Sequence, residues 1–244
     1  MPPLTLKNIK KTVSKICQDT PITDIHTHIY SSKFGGLLLR GIDELLTYHY
    51  LVAEVSRVID MKYSDWWALP KTKQAEIIWK ELFIDRSPVS EACRGVVTCI
   101  QAAGLEQPLA ERNLKAIRAY YSKLSPEKHI ETVFKAAGVS KVVMTNNPFD
   151  PAERPVWLDK NYKPDSRFEA AFRMDDVIVG WKTAVPTLKS WGYNVDEKLS
   201  NNAKKELTRY LSDWTERLNP RYMAVSLPPD FKFPDETIDR KSVV

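Results

Sequence analysis

Cysteine is scarce, with only Cys17, Cys93 and Cys99 among 244 residues. An odd, widely spaced set offers neither a disulfide framework nor a thiolate zinc pattern, so a reducing cytoplasm is the expected compartment. No apolar run approaches the ~20 residues of a membrane-spanning helix, and the N-terminus lacks the basic-then-apolar order of a signal peptide; no membrane partner is expected. Neither sign of charge dominates. The 36 basic and 31 acidic residues are interspersed and leave a formal charge of +5. That suits an anionic small molecule and argues against nucleic acid. Apolar content of 43% and charged content of 27% are ordinary for a globular protein. Histidine is rare too, yet two of the four fall in one short stretch.

That stretch is Pro21-Ile22-Thr23-Asp24-Ile25-His26-Thr27-His28. Its β-branched residues favour a strand, and proline is tolerated at a strand's entry. Alternate residues of a strand share a face, so His26 and His28 are expected to project together as a pair able to hold one ion. A satisfied, purely structural pair is the competing reading. Asp24 has the same parity and is a candidate partner for setting an imidazole tautomer.

Residues 4–18 mix lysines with Leu4, Leu6, Ile9, Val13 and Ile16 at near-helical spacing, which predicts an amphipathic helix beside the first strand. Ser and Gly predict a loop over 30–36. From 41 to 124 no strand is convincing. Ile42, Leu45, Leu46, His49, Val52 and Ala53 read as one helical stripe, Ile77, Ile78, Leu82 and Phe83 as another. Ser87-Pro88 predicts a capped helix start, Gly104 its end, and 108–122 a further helix. This is too long for a crossover and reads as an insertion. Ser125-Pro126 opens a helix that Gly138 closes; Val139–Thr145 is a buried strand; Asn146–Asp150 is a turn. Residues 151–167 read as a long loop and Asn201–Leu218 as a helix with Leu207, Tyr210, Leu211 and Trp214 on one stripe. Tyr222–Leu227 reads as a last strand. The tryptophans are assigned to packing, and His129 to a structural place in the first turn of a surface helix.

Helix, glycine, apolar strand and polar turn make the repeating unit of an α/β parallel sheet. About four strands fall short of the eight that close a barrel. The expected organisation is an N-terminal helix and first strand (1–40), a helical insertion (41–124), further β/α units (125–238) and a tail (239–244). The tail, Asp239-Arg240-Lys241-Ser242-Val243-Val244, reads as translated adapter sequence, and with it comes the expectation of a gene fragment truncated near Ile238.

With these residues in hand, the chain resembles the N-terminal half of a uronate isomerase (glucuronate isomerase type), a branch of the amidohydrolase superfamily. The resemblance rests on Asp24-Ile25-His26-Thr27-His28, the helical insertion after it, His49-Tyr50, Thr145-Asn146-Asn147-Pro148 and Phe172-Arg173-Met174-Asp175. The family turn is commonly Thr-Asp-Asp-Pro, and Phe-Arg-Pro-Asp is commoner than Phe-Arg-Met-Asp. The resemblance implies a partial metal-dependent (β/α)8 TIM barrel of amidohydrolase type, with the large insertion after the first strand. It implies His26 and His28 as ligands of a divalent metal, zinc by preference, and a sugar acid bound by His49, Tyr50 and Arg173. The family's third ligand, an aspartate, and the arginine and tryptophan after it would fall beyond residue 244, and the catalytic base stays unassigned.

Weighed alone, His49 on an apolar stripe is a core histidine, Tyr50 an interface aromatic and Arg173 an ion-paired side chain. The resemblance turns each toward substrate. The implied reaction interconverts an aldose uronic acid of the D-glucuronate or D-galacturonate type and its ketose acid, with homo-oligomers expected at full length. The alternatives are a metal-dependent hydrolase or decarboxylase of the same superfamily, and a truncated product without catalysis.

Overall fold

The computed structural model describes residues 5–229 and residue 231, so the expectation for the 239–244 tail lies outside the described residues. Among the described residues four strands form one parallel sheet in sequential order: β1 (Ile22–Thr27), β2 (Val139–Asn146), β3 (Phe168–Arg173) and β4 (Tyr222–Ala224). Sequential parallel order is that of successive strands in a barrel, and four strands are a part of one. The register of the last pair is Ala171 with Tyr222, Phe172 with Met223 and Arg173 with Ala224. Two compact units divide the chain. One holds the described residues up to Val142 with Pro164–Phe168; the other holds Val143–Lys163 and the described residues from Glu169 onward.

The first unit opens with helix α1 (Ile9–Asp19), which buries no residue; Ile9, Val13 and Ile16 form a half-exposed stripe. The Ile22 N–H donates to Gly138 O, and Ser140 Oγ donates back to Ile22 O, joining the starts of β1 and β2. Residues 32–37, expected as loop, make a 3-10 segment kinked at Gly35, whose φ of 56° suits glycine.

The insertion is helical throughout: α2 (Ile42–Leu46), α3 (His49–Val55), α4 (Tyr63–Ala68), α5 (Lys71–Trp79), α6 (Glu91–Ala102), α7 (Glu106–Ala110) and α8 (Leu114–Tyr121). A π-helical turn, Lys80–Ile84, extends α5. Ile42, Leu46, Leu51, Val55, Ile78, Ile100 and Ile117 meet in one apolar core. Three boundaries differ from expectation. The stripe from Ile42 breaks at Tyr48, whose backbone is extended, so α2 and α3 are separate helices. The next start is at Ser90, whose Oγ accepts the Cys93 N–H, and not at Ser87-Pro88. The segment 108–122 is interrupted where Arg112 turns left-handed and Asn113 caps α8 by accepting the Ala116 N–H. Helix α9 (Pro126–Ala137) follows the expectation closely: Ser125 caps it, and Gly138 ends it at φ 64°.

In the second unit the expected loop after β2 contains α10 (Arg154–Leu158), anchored by buried Trp157. Helices α11 (Asp175–Ile178), α12 (Trp181–Ser190) and α13 (Asn201–Leu218) complete it, the last burying Ala203, Tyr210, Trp214 and Leu218. Packing accounts for most of the tryptophans, but Trp67 is 53% exposed.

Candidate functional site

Strand β1 ends at Thr27, so His26 lies on its last full turn of pleat and His28 just past it. The two rings are neighbours, with centroids 5.5 Å apart in an edge-on arrangement. Both side chains are exposed. Asp24, the candidate partner for an imidazole, is engaged with the backbone of this strand. Its carboxylate accepts the backbone N–H of His26 at 3.1 Å, the local turn-like bond that aspartate makes readily.

Two imidazoles bonded to one ion at ~2.0–2.1 Å have ring centroids about 5 Å apart, so the observed spacing is of the size a shared ion requires. Zinc sites use three or four protein ligands. Among the described residues no group of three or more His, Cys, Asp or Glu is gathered to hold a metal. The pair therefore fits as part of a ligand set.

His49 differs from the core reading. It is the first residue of α3 and is exposed, while Leu51 and Val55 face the core. The break at Tyr48 resets the helical phase, so the apparent stripe does not carry through. Tyr48, His49 and Tyr50 form an aromatic cluster, with the imidazole centroid 4.3 Å from Tyr48 and 4.2 Å from Tyr50. Tyr50 is 60% exposed.

The first unit also holds a mostly apolar cavity of about 470 Å³, reached by His28, Leu45, Tyr48, Cys99, Tyr121 and His129. Of the nominated residues it brings in His28 alone. His129, assigned to the surface, is half-buried on its wall, and burial, with the charge of Arg40, pushes its imidazole below the usual range.

In the second unit Arg173 ends β3. Its Nε and Nη2 donate to the two carboxylate oxygens of Asp175 at 3.0 and 2.9 Å, and Nη2 also donates to Ser226 Oγ at 3.0 Å. Asp175 further accepts the Ser226 N–H at 2.8 Å. Although burial pushes the Asp175 carboxyl up, the Arg173 guanidinium and the Ser226 N–H hold it below the usual carboxylate range. The charged fork is thus fixed along one edge by a carboxylate two residues away, a bidentate pairing that fixes orientation.

The same unit contains a polar cluster built on the Asn146-Asn147 turn, with a member, Glu153, that the sequence reading did not single out. Glu153 is 1% exposed. Its Oε2 accepts the Asn147 N–H at 3.0 Å and its Oε1 accepts Trp157 Nε1–H at 2.8 Å. Burial nevertheless raises the carboxyl to about 7, outweighing those two donors and the nearby Asn146 carboxamide. Asn147 Nδ2 donates to Asp176 at 3.0 Å, and Asn147 Oδ1 accepts the Phe149 N–H at 3.0 Å. Asn146 is wholly buried; its carboxamide makes no hydrogen bond of normal geometry among the described residues but faces the Glu153 carboxyl and favours its ionised form. The Arg-x-Asp spacing at 173–175 was the one signal in the sequence for Asp175; Glu153 had none, lying in a segment that reads as loop.

No family model matches the chain, and no curated protein does. Among solved structures, a uronate isomerase from Bacillus halodurans matches over 96% of this chain at 48% identity, with a TM-score of 0.90. The chain spans 55% of the length of that protein. The resemblance to the uronate isomerases therefore holds over nearly the whole of this chain, in sequence and in fold. Among the described residues no helix is long and apolar enough to cross a membrane.

Proposed function

We propose that this uronate-isomerase-like chain serves the interconversion of an aldose uronic acid, of the D-glucuronate or D-galacturonate type, and its ketose acid. The observation that carries the reading is the 48% identity to a uronate isomerase over 96% of the chain. The adjacent imidazoles at the end of β1 support it, because strand ends are where barrel enzymes of this kind assemble their sites. The finer assignment is a metal-dependent barrel of amidohydrolase type, acting in the cytoplasm, with a homo-oligomer at full length.

In this reading His26 and His28 are two ligands of a divalent ion, zinc by preference. When bound, that ion supplies Lewis-acid polarisation of the sugar's carbonyl oxygen. The remaining roles fall to the chain's own groups. Arg173, permanently charged and already oriented by Asp175, binds the sugar-acid carboxylate or paired hydroxyls. His49 and Tyr50, both exposed and in tilted ring contact, bind hydroxyls. Isomerisation removes a proton from C2 and returns it to C1, so a base must sit within hydrogen-bond reach of both carbons. None of the residues nominated here is assigned that role.

The test is to incubate the protein, carried on its complete reading frame, with D-glucuronate and D-galacturonate in the presence of zinc and follow ketose formation. Turnover is expected with one or both, and His26→Ala and His28→Ala should each cut zinc retention by at least ~10-fold. Failure to form either ketose, or full zinc retention in both variants, rejects the reading.

A further inference from the structure

The turn that ends β2 is held by one carboxyl. Glu153 lies in the residue run just before α10, and its two oxygens face in two directions. One receives the Asn147 backbone N–H and the other the indole N–H of Trp157, four residues on. Its own N–H is anchored by Asp150, whose Oδ1 accepts the N–H groups of both Ala152 and Glu153. The carboxyl is therefore fixed from both ends before it grips the turn.

What it grips is the residue that links the turn to the end of β3. Asn147 is fastened at three atoms: its N–H to Glu153, its Oδ1 to Phe149 N–H, and its Nδ2 to Asp176. Asp176 is adjacent in sequence to Asp175, the carboxylate that fixes the Arg173 fork. One continuous set of hydrogen bonds and one peptide step thus runs from Glu153 to the guanidinium nominated for the sugar acid. A buried carboxyl with both oxygens occupied by protein donors has no face left for substrate. Its place is behind the site.

We propose that Glu153 is a positioning residue for the isomerisation site, holding the Asn146-Asn147 turn and, through Asn147 and Asp176, the start of α11 beside Arg173. This rests on the uronate isomerase reading for the word site; the grip on the turn stands without it. The groups facing the carboxyl are the Asn147 N–H, the Trp157 indole and the Asn146 carboxamide, with Asp150 the charged neighbour that works against its ionisation.

The experiment has two arms. In the first, the indole N–H resonance of Trp157, assigned with Trp157→Phe, is followed by NMR from pH 5.5 to 8.5 together with the Asn147 amide. Both should titrate with a midpoint near 7, the value burial gives Glu153, and the titration should vanish in Glu153→Gln. In the second arm, uronate turnover is measured on the complete protein. Glu153→Gln should lower kcat by about 10-fold with KM within about twofold, and flatten the pH–rate profile around neutrality, as loss of a supporting hydrogen bond does. Glu153→Asp, which keeps the charge at a shorter reach, should recover part of the loss.

Two resonances that ignore pH, or that titrate unchanged in Glu153→Gln, overturn the grip on the turn. Wild-type kcat and an unaltered profile in Glu153→Gln overturn the positioning role. If the wild-type protein turns over no uronate, the functional reading has failed, and the NMR arm still decides the grip by itself.

Discussion

The helical insertion and the residues around the end of β2 follow opposite rules for what may be buried. In the insertion, seven helices close over Ile42, Leu46, Leu51, Val55, Ile78, Ile100 and Ile117, and charge is kept at the margin. There Arg118 ties three segments together, donating to Asp43, to Glu76 and to Thr72 O. In the second unit, by contrast, Asn146 and Glu153 are buried outright, and the carboxamide of Asn146 faces the Glu153 carboxyl without making a hydrogen bond of normal geometry among the described residues. The insertion is arranged for stability. The strand end gives up some stability to keep polar groups in place, which is where chemistry is usually found.

The sharpest way to break that contrast is to empty the insertion's core. Ile78 and Ile117 are fully buried among aliphatic neighbours. Ile78→Ala or Ile117→Ala should each cost about 2–5 kcal/mol, read from the shift in urea midpoint at constant slope. A loss below ~1 kcal/mol would mean that the helices repack easily and that the insertion is not the stability reservoir described.

The second effect is smaller and depends on pH. The Glu153 carboxyl is raised from 4.5 to about 7 in the folded chain. Below about 4.5 it is neutral in the folded and unfolded chains alike. As pH climbs from there toward 7 the unfolded chain gives up its proton first, so folding stability declines, and above 7 the decline levels off. The total is on the order of 3 kcal/mol. Comparing wild type with Glu153→Gln at pH 5 and pH 8 isolates it, since any constant cost of the substitution cancels. The wild type should lose more stability than the variant over that interval; equal losses would place the carboxyl's proton affinity in the ordinary range.

The same contrast explains what could be read from the sequence. Helix α9 was legible at both ends because Ser125, Pro126 and Gly138 act through local backbone bonds that need no partner elsewhere. Strand β2 was legible as a short apolar run between a helix-ending glycine and a polar turn, and the pairing of His26 with His28 because alternation along a strand is also local. His49 misled because its place on a stripe assumed that α2 and α3 were one helix; the extended backbone at Tyr48 rotates everything after it. The start of α6 moved from Ser87 to Ser90 because several residues nearby can cap, and only the fold decides which one does. Glu153 was invisible for a deeper reason. Its segment has a loop's composition, and its donors, six residues before it and four after, reach its carboxyl only once the turn after β2 and the helix α10 have formed.

The smallest expected effect probes the cost of the second rule directly. Asn146 is buried, and its carboxamide faces the Glu153 carboxyl outside normal hydrogen-bond geometry, so removing it takes away a desolvation penalty along with some packing and a weak polar contact. The penalty for such a group is ~1–3 kcal/mol, and truncation of a buried side chain to alanine costs a comparable amount. The two terms oppose each other, and Asn146→Ala should change stability by less than about 1 kcal/mol, far less than either isoleucine substitution. It should not be silent elsewhere. The carboxamide lowers the affinity of Glu153 for its proton, so its removal should move the Trp157 titration midpoint upward. A strong destabilisation with an unmoved midpoint would show that Asn146 is a packing residue like those of the insertion, and the contrast between the two regions would lose its physical basis.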